Sequence, residues 1–418
     1  MDYDINNDIM PREWSQENSI IKVIGVGGGG CNAVNYMYRQ KIQGCNFIVC
    51  NTDSQALYKM DVPMKIQMGE KGLGAGTDPV EGRNAALESQ DEIAEKVLDN
   101  GTEMVFITAG MGGGTGTGAS PVIAKMAKDR GILTVAVVTI PFKNEGNESQ
   151  SKAIDGIREL EKNVDSLLII NNEKLYEFFG DTLVQEAFPK ADEVLATAVR
   201  GIIEVITKPG YINVDFKDVS KMMRSSGMAL MGTGVGSGNN RLEDAVKGAF
   251  ESPLLNDFDL MTAKNVLINI TSGNNERGIK MKELETIDEM ISKYTGKANR
   301  FKRGLIWDDD PEIGDQVRIT AIVTGFDMGK LGDITDVNLG NLVVIDTDFE
   351  WSTPRHGEEV SLPDVTPAIK VGFNRSYNTR RYNFATEQKP WLCVEPGQSI
   401  SELESTPAIR RAHSEKKR

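Results

Sequence analysis

The segment MVFITAGMGGGTGTG, residues 104–118, passes from an unbroken apolar run directly into a loop of glycine and threonine. A continuous apolar run is typical of a parallel strand that is buried on both faces of a sheet. The segment SPVIAKMAKDRG, residues 120–131, then has a helical pattern, with Pro121 in its first turn and Gly131 at its end. A strand, a tight glycine loop and a helix are therefore predicted in direct succession.

The same succession occurs earlier, where IIKVIGVGGGG, residues 20–30, precedes the helical pattern NAVNYMYRQ. Further strands are predicted at NFIVCNTD, ILTVAVVTIPF and VDSLLIINN, and a helix at DEIAEKVLDNG, which Gly101 ends. Strands that alternate with helices predict a doubly wound α/β domain with a parallel sheet, which we place at residues 20–185.

The rest of the chain falls into segments that differ in their sequence patterns. ADEVLATAVRGIIEVITKPG predicts a long connecting helix over residues 186–210, buried on more than one side and ended by Pro209 and Gly210. A second α/β domain is predicted over residues 211–328, with strands at NVLINIT and QVRITAIVTG. Three parts are expected to be disordered or flexible: an N-terminal arm at 1–19, a linker at 329–402, in which only LVVIDTDFEW has a strand pattern, and a basic tail at 403–418.

Charge and hydropathy exclude two classes of protein. The formal net charge of −14 argues against a nucleic-acid surface, which needs a basic patch. No apolar run approaches the length of a membrane span, and the acidic start MDYDINNDIMPREW is unlike a signal peptide. We therefore expect an intracellular protein that does not insert into the membrane.

Histidine and cysteine usage excludes further chemistry. His356 and His413 both lie in the C-terminal portion, which removes histidine-based nucleophilic catalysis and histidine-ligated zinc from the folded part. The cysteines lack CxxC spacing and are expected to be free thiols: Cys31, Cys45, Cys50 and Cys393.

The first glycine loop, GVGGGG, has the GxGxxG spacing of a dinucleotide-binding turn, and Asp53 follows at the distance of a ribose contact. Glycine allows backbone N–H groups to approach a phosphate, and a helix N-terminus attracts anions. This loop alone leaves two alternatives open: a nicotinamide-dependent oxidoreductase and a tight turn without a ligand.

The second glycine loop, residues 110–118, is not needed in a nicotinamide enzyme, and it lacks the lysine of a Walker A sequence. We therefore predict that backbone N–H groups and the hydroxyls of Thr115 and Thr117 hold a triphosphate-sized anion that the two loops share. A hydrated Mg²⁺ ion is expected to carry the charge that a lysine would otherwise supply.

Several motifs in order resemble the tubulin/FtsZ family across about residues 20–326. They are GGGTGTG, IKVIGVGGGGCNAVN, NTDSQAL, KGLGAGTDP, GILTVAVVTIPF and SSGMALMGTGVGSG. The resemblance implies that the nucleotide is GTP and its product GDP. It also implies a GTPase domain that a long helix joins to a second α/β domain.

The resemblance assigns the GTP-binding residues by position, and Ser149 stands where the family commonly has an arginine. Glu145 matches the ribose contact, while Phe188 and Asp192 match the ring and the carboxylate that contact guanine. The remaining positions match the phosphate loops: Gly28, Gly29, Gly30, Cys31, Asn32, Gly72, Gly74, Ala75, Gly76, Thr77, Gly112, Gly113, Gly114, Thr115, Gly116, Thr117 and Gly118. No protein side chain is assigned as a ligand of the Mg²⁺ ion, which is expected to bind through the nucleotide.

The segment NVDFKD, residues 213–218, reads from its residues alone as a turn that caps the helix DVSKMMRS. The resemblance implies instead that it projects into the nucleotide site of the next subunit. Asp215 and Asp218 would there orient the attacking water, and Asn213 would contact the phosphate region. A contact between opposite faces of identical subunits does not close, so it builds filaments.

The resemblance also implies the setting in which such filaments work. It implies a scaffold of the bacterial division ring, in the cytoplasm at mid-cell, whose TPAIRR tail docks on the membrane tether FtsA and other division partners. A non-catalytic or plasmid-segregating tubulin-like filament remains an alternative. The two aspartates favour hydrolysis, and the linker followed by a tail favours division.

Overall fold

The computed structural model describes residues 19–99, 101–173, 184–208, 210–212, 214–251, 260–296, 300–308, 313–326, 369–371 and 375–377. Ser19 already belongs to the folded part, because its N–H donates to Asn46 Oδ1 and its hydroxyl donates to the Gly44 carbonyl. The arm predicted upstream of it lies outside the described residues. Among the described helices, none combines the length and the apolar character needed to cross a membrane.

The first half of the chain forms a parallel set of strands, as the alternating pattern predicts. They are β1 (Ile21–Val26), β2 (Asn46–Asn51), β3 (Met64–Gln67), β4 (Met104–Gly110), β5 (Leu133–Ile140) and β6 (Ser166–Asn171). They lie in the order β3-β2-β1-β4-β5-β6, so the strand order reverses between β1 and β4. In such sheets a ligand binds outside the carboxyl ends of the strands at this reversal.

Helices follow these strands in turn. They are α1 (Gly27–Arg39), α2 (Ser54–Tyr58), α3 (Pro79–Glu88), α4 (Gln90–Ile93), α5 (Thr115–Asp129) and α6 (Asn147–Glu161). A π-helical turn, Ala94–Leu98, continues α4, and a 3-10 turn, Lys143–Glu145, precedes α6. Ile21 and Val23 of β1 belong to a buried cluster shared with α1. Ile24, which alternates with them, is fully buried on the opposite face, as expected for a doubly wound sheet.

The second half of the chain extends the same sheet. Its strands are β7 (Gly210–Ile212), β8 (Gly227–Gly236), β9 (Asn265–Gly273), β10 (Arg300–Asp308) and β11 (Val317–Phe326). Its helices are α7 (Val184–Thr207), α8 (Phe216–Met223), α9 (Arg241–Phe250) and α10 (Met281–Thr295). The strands predicted at NVLINIT and QVRITAIVTG are β9 and β11.

The two halves meet where β6 pairs in parallel with β8, giving one sheet of eleven strands in the order β3-β2-β1-β4-β5-β6-β8-β11-β9-β10-β7. Asp165 secures this junction, because its buried carboxylate accepts hydrogen bonds from the N–H groups of Thr134 and Ser225. The long helix α7 packs Leu195, Val199 and Ile202 into the core, which confirms the predicted buried helix. The domain boundaries at residues 185 and 211 remain predictions.

The prediction for Pro121 is wrong: α5 begins at Thr115, so the proline lies inside the helix and not in its first turn. The glycine loop itself winds into the helix, since the Gly118 N–H donates to the Gly114 carbonyl at 3.0 Å. Glycine and threonine have low helix propensity, and here packing overrides it. A methyl group on Gly118 would lie 1.9 Å from the Pro79 carbonyl oxygen, which shows how closely α3 approaches this turn.

Beyond residue 326 the described residues form one antiparallel pair, β12 (Ile369–Val371) with β13 (Arg375–Tyr377). It falls within the predicted linker at 329–402, whose other residues, including LVVIDTDFEW, lie outside the described part. The predicted tail at 403–418 and Cys393 lie outside it as well. Cys31, Cys45 and Cys50 are buried free thiols, as expected.

Replacing Gly30 by alanine tests the closeness of the first turn of α1 to β4. The added methyl group would lie 2.1 Å from the Thr108 carbonyl oxygen, so the two backbones must separate. We expect the free energy of unfolding of nucleotide-free protein, measured in urea, to fall by about 1–3 kcal/mol. Gly113→Ala is the matched control, because no atom lies within 4 Å of its added methyl group. Equal stability of the two variants would contradict this packing.

Candidate functional site

The two glycine loops meet at the carboxyl ends of β1 and β4, where the strand order reverses. A methyl group on Gly27, whose φ is +71°, would lie 2.7 Å from the Gly116 backbone nitrogen. One on Gly29 would lie 3.3 Å from Gly110 Cα. The first turns of α1 and α5 are therefore in direct contact, and side chains at these positions would push them apart.

Other glycines in these loops are not explained by packing. Gly28 and Gly113 are exposed, and no atom lies within 4 Å of a methyl group placed on either. No side chain caps the N-terminus of α1 or of α5, whereas Asp53 caps α2 and Asp78 caps α3. Free N–H groups at two adjacent helix N-termini, with open space in front of them, fit a phosphate chain.

The threonine hydroxyls shape the second loop from inside. Thr115 and Thr117 are both buried. Thr115 Oγ1 lies 2.7 Å from Thr52 Oγ1, and Thr117 Oγ1 accepts a hydrogen bond from the Gly112 N–H at 2.9 Å. Both hydroxyls therefore already have hydrogen-bond partners within the chain. The part of the loop that faces the solvent is its backbone at Gly113.

A third loop, KGLGAGT at residues 71–77, follows β3 and pairs with the residues just after β2. The Gly74 N–H donates to the Thr52 carbonyl at 3.0 Å, and the Ser54 N–H donates to the Gly72 carbonyl at 3.1 Å. Ala75 packs against Gly114, whose added methyl group would lie 2.9 Å from Ala75 Cβ. Thr77 has a φ of +64°, a conformation that non-glycine residues rarely adopt and that is enriched at ligand sites.

Asp53 has a structural role that needs no ligand. Its Oδ1 accepts hydrogen bonds from the N–H groups of Gln55 and Ala56, and so caps α2. The ribose contact expected of Asp53 from the spacing of the first glycine loop stays a prediction.

The proposed ribose contact follows β5 at the same edge of the sheet. Glu145 is exposed, and its Oε1 accepts a hydrogen bond from the Phe142 N–H at 2.9 Å. Ser149 lies in the first turn of α6, where its carbonyl oxygen would be 2.9 Å from a methyl group on Gly112. Ser149 therefore borders the second glycine loop.

The proposed guanine contacts lie on α7. Phe188 belongs to this helix, but its side chain lies outside the described part. Asp192 is half-buried, and burial raises the pKa of its carboxyl to about 7. A carboxylate that is poorly solvated gains most from new hydrogen-bond donors, such as those on the Watson–Crick edge of guanine.

The acidic segment after β7 lies at the opposite edge of the sheet. Asp215 is exposed and caps α8, accepting a hydrogen bond from the Asp218 N–H at 2.7 Å. Asp218 Oδ1 lies 2.9 Å from Nζ of Lys302, near the amino end of β10. The Arg224 guanidinium, just after α8, donates to the carbonyl of Gly131, which precedes β5. Asn213 lies outside the described residues.

The structure therefore separates the two parts of the predicted site. Strands β1 to β6 and β10 run in the same direction, so α8 lies at their amino ends and the glycine loops at their carboxyl ends. The parallel strands β1, β4 and β5 contain six to eight residues each. At about 3.3 Å per residue, the two edges are roughly 20–26 Å apart. Asp215 and Asp218 do not reach the glycine loops of their own chain.

No cluster of three acidic, histidine or cysteine side chains that fits a metal ion occurs among the described residues. Mg²⁺ readily takes its ligands from phosphate oxygens and water, and its binding through the nucleotide stays a prediction.

Family models match both halves of the chain. Residues 20–180 match the GTPase domain of the tubulin/FtsZ family, and residues 227–327 match the C-terminal domain of the FtsZ family. A cell division protein FtsZ from Buchnera aphidicola is 49% identical over 331 residues, covering 78% of this chain and 84% of the relative. One from Porphyromonas gingivalis is 44% identical over 369 residues, covering 84% and 79%.

Solved structures agree with the sequence comparisons. An empty FtsZ dimer from M. jannaschii has a TM-score of 0.68 at 38% identity, covering 74% of this chain and 89% of that one. CetZ2 from Haloferax volcanii has a TM-score of 0.63 at 20% identity, covering 76% and 96%, which shows a shared fold alone. Two family models in the right order, together with relatives that match over most of their length, place the chain in the FtsZ branch of the tubulin/FtsZ GTPase family.

Proposed function

We propose that the chain is a GTPase that assembles head to tail into filaments and hydrolyses GTP at each junction between subunits. The observation that supports this most directly is the placement of the glycine loops and of Asp215 and Asp218 at opposite edges of one sheet. A subunit stacked on another would bring the two edges together. Such a contact is heterologous and repeats without closing, which gives a filament.

GTP binds through backbone groups more than through side chains in this proposal. The N-termini of α1 and α5 and the exposed glycines Gly28 and Gly113 receive the phosphates, and Gly76 and Thr77 face the terminal phosphate. Asp192 and Phe188 receive guanine, and Glu145 and Ser149 lie beside the ribose and the phosphates. A Mg²⁺ ion bound to the nucleotide neutralises charge on the phosphates.

Hydrolysis needs a water molecule in line with the terminal phosphate, and the glycine loops offer no group to hold it. Asp215 and Asp218 of the next subunit supply carboxylates that accept hydrogen bonds from this water and orient it, and Asn213 lies beside the phosphates. The contact between Asp218 and Lys302 fixes the carboxylate before assembly. A protomer without a neighbour therefore binds GTP but lacks the carboxylates that orient the attacking water.

The cellular role is proposed from the relatives, whose printed name is cell division protein. The filament would form the scaffold of the bacterial division ring at mid-cell, on the cytoplasmic side of the membrane. The tail at 403–418 would bind the tether FtsA and other division proteins, with the linker at 329–402 giving it reach. The presence of both aspartates favours this role over a filament that does not hydrolyse GTP.

A mixing experiment tests the split site. Asp218→Asn lacks the water-orienting carboxylate, and Gly113→Asp blocks the phosphates by size and charge. We expect each variant alone to lose about a hundredfold or more of the GTPase activity. Their mixture should regain activity, because a junction between the two variants can carry both intact halves. Activity is measured as phosphate release against protein concentration, with light scattering on the same samples.

Asp244→Asn, an exposed residue in the first turn of α9, is the matched control and should keep the parent activity. If the mixture stays as inactive as its components, or if the parent's activity per protomer is independent of concentration, the site is complete within one chain and the proposal is wrong.

Asp192 gives a pH dependence of GTP binding. Its carboxyl has a pKa of about 7, so it is charged above pH 7 and protonated below. Only the charged form accepts both donors of guanine. We expect GTP affinity, measured below the assembly concentration, to fall about tenfold per pH unit below 7. Because the nucleotide phosphates also titrate, the comparison is with Asp192→Asn, whose profile should be flatter. Identical profiles would show that Asp192 does not contact guanine.

Deleting residues 403–418 tests the tail. We expect GTPase activity and light scattering to stay at the parent level, because the segment lies beyond both family-matched domains, residues 20–180 and 227–327. Binding to purified FtsA, measured by co-sedimentation with filaments, should disappear. Loss of GTPase activity in the truncated protein would instead assign the tail to the folded core.

A further inference from the structure

Lys152 is a buried lysine near the start of α6, and the mechanism above does not use it. Only 8% of its side chain is exposed, whereas its partner Glu148, one turn earlier, is 75% exposed. The two charged atoms, Lys152 Nζ and Glu148 Oε1, are 2.6 Å apart. Removing an ammonium group from water costs free energy, and a helix-surface pair does not require it. The burial of Lys152 therefore calls for a further explanation.

The neighbours of Lys152 on α6 contact the second glycine loop. The Ser149 carbonyl oxygen would lie 2.9 Å from a methyl group on Gly112, and Thr117 Cγ2 would lie 2.3 Å from one on Gly156. Residues 149, 152 and 156 are three and four positions apart, so they share one face of the helix. Side chains of a helix lean toward its N-terminus. The amine of Lys152 is thus directed toward the end of α6 at which the loops lie.

The two glycine loops carry no cationic side chain of their own, and only the third loop, KGLGAGT, begins with a lysine, Lys71. Neither GVGGGGCN, residues 25–32, nor GMGGGTGTG, residues 110–118, contains a lysine or an arginine. Each helix N-terminus contributes only about half an elementary charge. Ser149, at the position next to Gly112, is neutral as well. A cation beside this loop would strengthen binding of a nucleotide that carries several negative charges.

We propose that Lys152 is a phosphate-binding residue of the nucleotide site and that Glu148 competes with the nucleotide for it. Without nucleotide, the ammonium group pairs with Glu148. When phosphates occupy the loop, the lysine side chain rotates toward them and Glu148 is released to the solvent. The affinity for nucleotide is therefore set by the balance between these two partners. This inference rests on the proposed function, since it assumes that the glycine loops bind GTP.

The alternative is that the pair only stabilises the first turns of α6. The two explanations predict opposite changes in nucleotide affinity when Glu148 is replaced. If the pair is merely structural, removing either charge loosens α6 and weakens nucleotide binding in both cases. If Glu148 competes with the nucleotide, removing the lysine weakens binding while removing the glutamate strengthens it.

The experiment titrates GTP and GDP into the full-length chain below its assembly concentration. We expect Lys152→Met to bind both nucleotides about tenfold more weakly, since a hydrogen bond to a charged group is lost. Lys152→Arg should stay within about threefold of the parent, and Glu148→Gln should bind about threefold more tightly. The affinity of Lys152→Met should also fall less steeply with salt, because one ionic contact is missing.

Lys125→Met, which removes an exposed lysine of α5, is the control for net charge and should bind like the parent. Thermal unfolding shows whether each variant is folded, and Ser149→Arg introduced into Lys152→Met should restore affinity by supplying a cation at the adjacent position. Equal binding by all variants, or a shift in the same direction for Lys152→Met and Glu148→Gln, would overturn the inference. If the parent itself binds no guanine nucleotide, the proposed function fails instead.

Discussion

The rest of the structure depends on the close approach of two backbones, that of β1 with the start of α1 and that of β4 with the start of α5. Gly30 lies against the Thr108 carbonyl and Gly27 against Gly116, at distances that leave no room for a methyl group. This contact fixes the two helix N-termini side by side at the reversal of strand order. The candidate nucleotide site lies at these N-termini, and the third loop packs beside them on Gly114, as does α6 on Gly112.

The direction of the strands then determines how the site is divided. A parallel sheet places all its βα loops at one edge, so any group that precedes a strand lies at the other edge. α8 is attached to the amino ends through Lys302 of β10 and Gly131 before β5. Because β6 pairs with β8, the sheet is continuous, and its polarity is shared by both halves of the chain. A single chain therefore has two different ends, and in the proposed function its GTPase activity depends on a neighbour.

Strong local sequence patterns made most of the fold predictable. Unbroken apolar runs gave the buried parallel strands, and the periodicity of α7 showed a helix buried on several sides. The start of α5 could not be predicted, because the helical state of TGTG depends on α3 packing against Gly118 and not on propensity. Three further features could not be predicted from the sequence either: the burial of Lys152, the pairing of Asp218 with Lys302 and the raised pKa of Asp192. Each results from contacts between segments distant in sequence, or from the burial of one helix face.

The missing side-chain caps of α1 and α5 have a consequence for the folding of the protein. In the proposed function, the first N–H groups of both helices exchange water for phosphate oxygens when the nucleotide binds, so the nucleotide caps two elements of secondary structure. A ligand that binds only the native state stabilises it by about 2.7 kcal/mol at a hundredfold excess over its dissociation constant. On the same proposal, the nucleotide pool of a cell would stabilise the newly made chain before any filament exists, by raising the fraction that stays folded.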